Sequence, residues 1–226
     1  MKISFADIYE KAIGLFDDPR ITEAYYESSI HFQKLMYTYL QNGISLFNNP
    51  VDITMQLSNY IPPLGTLETF EGQEGQTTFV LDPNFEILEG SSYEFIVDGK
   101  RVDGTLNINE RSVSFPEEGS AYSFEQYFPG EFNVDLTVVG SDSTQRMAAV
   151  SIKDILARML IRAWSEEKRN FLLDIQNILN DTDFKIHPAS SALRSKNLWV
   201  DQLENETAEL TNKLAWMIKF SKAKGR

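Results

Sequence analysis

The sequence predicts an α+β protein in which N- and C-terminal helical segments form one bundle around an inserted antiparallel β module. Two observations carry this. The apolar period runs near 3.6 residues up to about residue 61, near 2 from Gly65 to Val139, and near 3.6 again from Ser151. Charge divides the same way. Residues 1–61 carry 4 bases and 7 acids, residues 62–146 carry 4 and 16, and residues 147–226 carry 13 and 10, so the overall −12 sits in the middle third.

Each element follows from its own residues. Ser4 is placed as the N-cap of a first helix over 4–16, whose stripe is Phe5, Ile8, Ala12, Ile13 and Phe16. Asp17-Asp18-Pro19 breaks the chain, Asp18 can cap a second helix, and Pro19 suits its first position because its missing N–H would have no partner there. That helix is predicted to run as one piece to Asn42-Gly43, which stops it. It carries Tyr25, Tyr26, Phe32, Tyr37 and Tyr39, a stripe read as core or subunit interface. Segment 44–61 is ambiguous, with Val51–Met55 as a possible short strand before Pro62-Pro63.

Strands are predicted at Thr77–Leu81, Tyr93–Val97, Gly104–Ile108, Ser112–Phe115 and Phe132–Val139. Asp98-Gly99, Asn109-Glu110-Arg111 and Pro116–Gly119 supply turns, which is the rhythm of a sandwich or barrel with an acidic surface. From Ser151, read as a cap, a stripe of Ile152, Ile155, Leu156, Met159, Leu160, Ala163 and Trp164 continues to Leu179, and Asn180–Asp183 ends it. A linker, Phe184–Pro188, precedes a last helix from Ala189 or Ser190 that carries Leu193, Leu198, Leu203, Leu210, Leu214 and Met217. The two helical segments, 1–61 and 147–226, each expose an apolar stripe. They are expected to pair as one discontinuous domain, with 62–146 inserted.

Composition narrows the chemistry. With 226 residues, 42% hydrophobic, the chain is globular, and it has no cysteine and two histidines. Thiolate chemistry and a His-rich metal centre are excluded. No apolar run reaches the roughly 20 residues of a membrane span, and the start does not read as a signal peptide, so a reducing intracellular setting is expected. His187 sits beside Pro188 in the linker without a triad motif, and His31 lies among Ile30, Phe32 and Met36 as a packed or interfacial residue. Glu71–Gly75 lacks the Lys-Ser/Thr end of a phosphate loop, and Asp98-Gly99-Lys100 reads as a turn rather than a calcium site. No enzyme activity, catalytic residue, cofactor or metal is expected. The charge distribution argues against a duplex DNA binder, which needs a basic face.

One cluster does point to binding. The last fourteen residues hold five bases and no acid, alongside Trp216, Met217, Ile218 and Phe220. Leaving that apolar group wet is costly, so docking of Trp216, Met217, Ile218, Lys219, Phe220, Lys222, Lys224 and Arg226 onto the bundle or a neighbouring subunit is expected.

The run Val150–Trp164, the loop Asp183–Leu193 and the helix Asn197–Leu214 with its basic tail resemble the head–tail connector (adaptor or neck) proteins of tailed bacteriophages. The helix break at Leu15–Pro19 is similar too. In the middle, Gly75–Leu81, Tyr93–Lys100 and Arg111–Phe115 resemble small β modules of phage tail and fibre proteins, departing from them in the long gap 82–92 and in acidity. The resemblance implies a structural virion protein assembled in the host cytoplasm. It would form a homo-oligomeric ring, most often a dodecamer, between the portal protein and the tail or neck proteins, with the basic tail docked to the portal or a neighbouring subunit. DNA would pass through its channel during ejection without sequence-specific binding, and no membrane would be involved. A baseplate or fibre-attachment protein is one alternative. The other is a carbohydrate-binding β module using Tyr122, Phe124, Tyr127 and Phe128 as sugar platforms.

Overall fold

A computed structural model describes residues 1–16, 18–181 and 188–224. Among them, β1 (Lys2–Ser4) leads into α1 (Phe5–Ile13), α2 (Pro19–Glu27), α3 (Ser29–Leu46) and α4 (Val51–Leu57). Strands β2 (Leu64–Glu71), β3 (Thr78–Val80), β4 (Ser92–Val97), β5 (Lys100–Val102), β6 (Thr105–Asn107), β7 (Ser112–Ser114), β8 (Ala121–Phe128) and β9 (Glu131–Asn133) follow. Two long helices, α5 (Asp142–Asp181) and α6 (Pro188–Lys224), close the described chain. With 52% helix and 21% strand, all paired antiparallel, the class is α+β as the sequence predicts.

The first caps fall as predicted. Ser4 Oγ accepts the Ala6 N–H at 3.2 Å, and the Asp18 carboxylate accepts the Arg20 N–H at 3.1 Å with Pro19 in the first turn. The single helix expected over 19–42 is two. Ser28 is extended (φ −154°, ψ 103°), ends α2 and caps α3 by accepting the His31 N–H at 2.9 Å. Its hydroxyl also donates to Glu94 of β4 at 2.5 Å, so the break is fixed from the sheet side. Nor does Asn42-Gly43 end the helix. Gly43 lies inside α3 with its backbone against Met159 and Leu160 of α5, close enough that a Cβ there would press on both. Segment 51–57 is helical, with Ile53 and Leu57 buried. His31 is exposed rather than packed.

The helical core gathers Phe5, Ile8, Phe32, Met36 and Leu40 around Ile152, Ile155, Leu156 and Leu160 of α5. Helix α5 starts at Asp142, nine residues before the expected cap at Ser151, whose hydroxyl instead donates back to the Met147 carbonyl. Its end at Asp181 agrees with the sequence reading, whereas the linker 184–187, with His187, lies outside the described residues. The strand expected over 132–139 is short. Only Glu131–Asn133 pairs, with β1 (Ile3 opposite Phe132), before a 3-10 turn at Thr137–Val139. Phe132, Val134, Leu136 and Val139 all enter the helical core, which makes this segment part of the helical packing.

A second, aromatic core lies between two sheets, ordered β2-β8-β4-β5 and β3-β7-β6. Phe95 and Phe115 meet edge-on at 5.8 Å, and Phe70 stacks on Phe79 at 4.8 Å. At the β4–β5 turn, Asp98 and Gly99 take φ 48° and 80°, the geometry foreseen for Asp-Gly. The Asp98 carboxylate accepts from Ser120 N–H, Ser120 Oγ (2.7 Å) and Ala121 N–H, which holds it below the ordinary carboxylate range. Sequence reading found neither β2, β5 nor β8. The other face of the four-stranded sheet meets α3 through polar pairs: Ser28 with Glu94, Gln33 with Ser92 (3.1 Å), and Lys34 with Glu125. Part of the acidity expected to face solvent is therefore spent on this junction.

Candidate docking face

Helices α5 and α6 run antiparallel, each about 55–60 Å long at 1.5 Å per residue. Arg158 pairs with Glu206 at 3.1 Å, and Arg162 with Glu204 at 3.4 Å and Glu166 at 2.9 Å. Hydrogen bonds from Gln202 and Arg158 hold the Glu206 carboxyl below its usual range. Leu203, Thr207, Leu214 and Ile218 occupy the buried side of α6.

The terminal segment picked out by sequence is therefore the last three turns of a packed helix. Its residues separate by face. Ile218 is buried in the helical core, and Ser221 donates to the Val139 carbonyl, which anchors the helix end. Met217 is half-buried. Trp216 and Phe220, one turn apart, point away from the core at 55% and 60% exposure, and their rings stack with centroids 5.3 Å apart. The exposed Lys219 ammonium lies 5.2 Å from the Trp216 ring. Lys222 and Lys224 continue the helix backbone, their side chains outside the described set, and Arg226 lies outside the described residues. Ile218 is thus corrected from a residue docking on a neighbour or the portal to a core residue of the bundle.

Helix α5 extends the same face, which sequence reading missed. Exposed Met147 and Val150 flank Met217 in a shallow hollow with Arg146, and Phe220 and Met217 border a 540 Å³ groove over Val139 and Gly140. Met147 and Val150 fall before the expected helix start, so no stripe connected them to Trp216.

A second apolar surface lies elsewhere. Strand β2 is the edge of its sheet, with Ile61 and Leu64 exposed at its start and Leu67 exposed on the strand's opposite face. Ile61, Pro62 and Leu64 with Leu88 and Phe128 line a 650 Å³ cleft whose rim carries Glu89 and the Lys2–Glu131 ion pair (3.0 Å). Nearby, burial raises Glu68 above the ordinary carboxylate range, while its Oε1 accepts the Asp82 N–H at 3.0 Å.

The candidate sugar platforms are corrected as well. Tyr122, Phe124 and Tyr127 are buried and Phe128 is half-buried, because β8 is the central strand between β2 and β4. Among the described residues no group of three or more acidic or His side chains could hold a metal, and no helix is long and apolar enough to cross a membrane. No family profile, curated protein or solved structure matches this chain.

Proposed function

We propose that this chain is a structural virion protein of a tailed bacteriophage, forming a homo-oligomeric ring at the neck between portal and tail. Its role is assembly rather than catalysis. The observation that carries the reading is the stacked pair Trp216 and Phe220, held outside the core on a helix with Lys219 over the Trp216 ring, and joined through Met217 to the exposed Met147 and Val150 of α5. Exposed aromatic and methionine side chains beside an exposed positive charge supply anchors and steering for a protein partner. A long antiparallel helix pair suits a subunit that must transmit contact along a ring wall, and the resemblance of 150–214 to connector proteins supplies the setting. In a ring, the acidic middle third would keep passing DNA from adhering.

Negative-stain microscopy and sedimentation of the purified protein, alone and with portal protein, test this. A ring with a central channel, or a stoichiometric complex with portal, is the expected result. A protein that stays monomeric and ignores portal would overturn it.

A further inference from the structure

The docking face and the β2 cleft share no residue, yet they are complementary. Residues 213–226 carry five bases and no acid, and Arg146 adds another beside Met147. Residues 62–90 carry six acids and no base, and one of them, the exposed Glu89, stands on the cleft rim. Both surfaces are also apolar: Trp216, Phe220, Met147 and Val150 on one side, Ile61 and Leu64 on the other.

We propose that the occupant of the β2 cleft is the α6 end of a second copy of this chain. The contact rests on the assembly reading above and names its receptor. Trp216 and Phe220 enter the cleft beside Ile61 and Leu64, while Lys213 and Lys219 face Glu89 on its rim. Opposite charge steers the encounter, and burial of the apolar side chains holds it. Because two different surfaces meet, the contact is heterologous. Repeated, it closes as a ring or runs on as a filament, and each subunit keeps one face of each kind satisfied by a neighbour. It also covers the β2 edge, a long strand whose outer side would otherwise invite uncontrolled pairing.

Charge reversal tests the pairing in the full chain. One variant carries Lys213→Glu and Lys219→Glu, the other Glu89→Lys; all three side chains are exposed, and circular dichroism checks that each variant folds. Each alone should associate at least tenfold more weakly than wild type in sedimentation at low salt. A one-to-one mixture should recover assembly, because the acidic helix end of one meets the basic cleft of the other. Trp216→Ser with Phe220→Ser should remain dissociated in the mixture and in high salt. Wild-type assembly with unaffected reversed variants, or a mixture that fails to recover, would overturn the cleft as receptor and leave the ring reading standing. A wild-type chain that is monomeric alone but binds portal would also overturn this contact only. One that does neither removes both readings.

Discussion

Phe16 meets Trp164 edge-on, with ring centroids 5.1 Å apart and planes at 88°. The contact ties the segment between α1 and α2 to the middle of α5, where Trp164 is 3% exposed. Lys196 of α6 places its ammonium 5.3 Å from the same ring. One indole thus joins three parts of the chain that are far apart in sequence. Trp164→Ala should cost about 3–5 kcal/mol, since little around a ring held from several sides can collapse into the space. Urea unfolding followed by far-UV circular dichroism measures it, and a loss under about 1 kcal/mol would place the ring outside the core.

Gly43 carries the next prediction. A Cβ there would lie 3.1 Å from Met159 Cβ and 3.2 Å from the Leu160 nitrogen, and neither atom belongs to a flexible chain end. Alanine normally gains about 1 kcal/mol over glycine inside a helix. Here the overpacking, of order 1–3 kcal/mol, opposes and exceeds it. Gly43→Ala should therefore lower the thermal midpoint, against the propensity rule. A raised midpoint would mean that α3 and α5 can separate slightly at no cost.

Gly43 and Ser28 show what a single sequence conceals. Asn42-Gly43 carries the ordinary signature of a helix end, and only the partner helix reveals that the glycine serves close packing. Ser28 likewise looks like one polar residue within an aromatic helix, because its reason for breaking the chain is Glu94, 66 positions away. Strand β2 hid itself by inversion. Its core-facing positions include Thr66 and Glu68, while Leu67 faces out, so the period-2 pattern pointed the wrong way. What was legible was local: the caps at Ser4 and Asp18, the Asp98-Gly99 turn, the long stripe through Trp164, and the apolar-basic helix end. The half of the docking face on α5 was not, since Met147 and Val150 meet Met217 only through the packing of α5 on α6.

The Arg158–Glu206 pair predicts how the α5–α6 packing responds to acid. Glu206 is held below its unfolded value by Gln202 and Arg158. A depressed carboxyl contributes stability that is fully present above the ordinary glutamate range and is lost as pH falls through the lower folded value. Both partners are partly exposed, so the contribution is modest, about 0.2–1 kcal/mol. Glu206→Gln should be slightly less stable than wild type at pH 7, and the difference should vanish as the pH is taken down through the acid range. Thermal melts of both proteins from pH 7 to pH 3 check this. A difference that stays constant with pH would assign the effect to packing instead.

The last prediction concerns where the β-rich part of the chain can be cut away. A deletion of 65–145 follows the change in apolar period, but it would remove Phe132, Val134, Leu136 and Val139, all buried among the helices. Removing several core side chains at about 2–5 kcal/mol each exceeds the whole stability of an ordinary domain, so that chain should not fold. A deletion of 64–128 spares them and keeps β9 paired with β1. Its ends need little bridging, because Ile61 and Glu131 already exchange backbone hydrogen bonds at 2.9 and 3.1 Å. What it exposes on α3 is the polar junction of Ser28, Gln33 and Lys34, groups that water can satisfy. With Pro63 and Pro129 joined through a short Gly/Ser linker, the shorter deletion should give a helical chain that melts cooperatively, while the longer one gives an unfolded spectrum. If both unfold, the aromatic sheet core is required to hold the helices together. If both fold, the segment 132–139 adds less to the helical core than its burial implies.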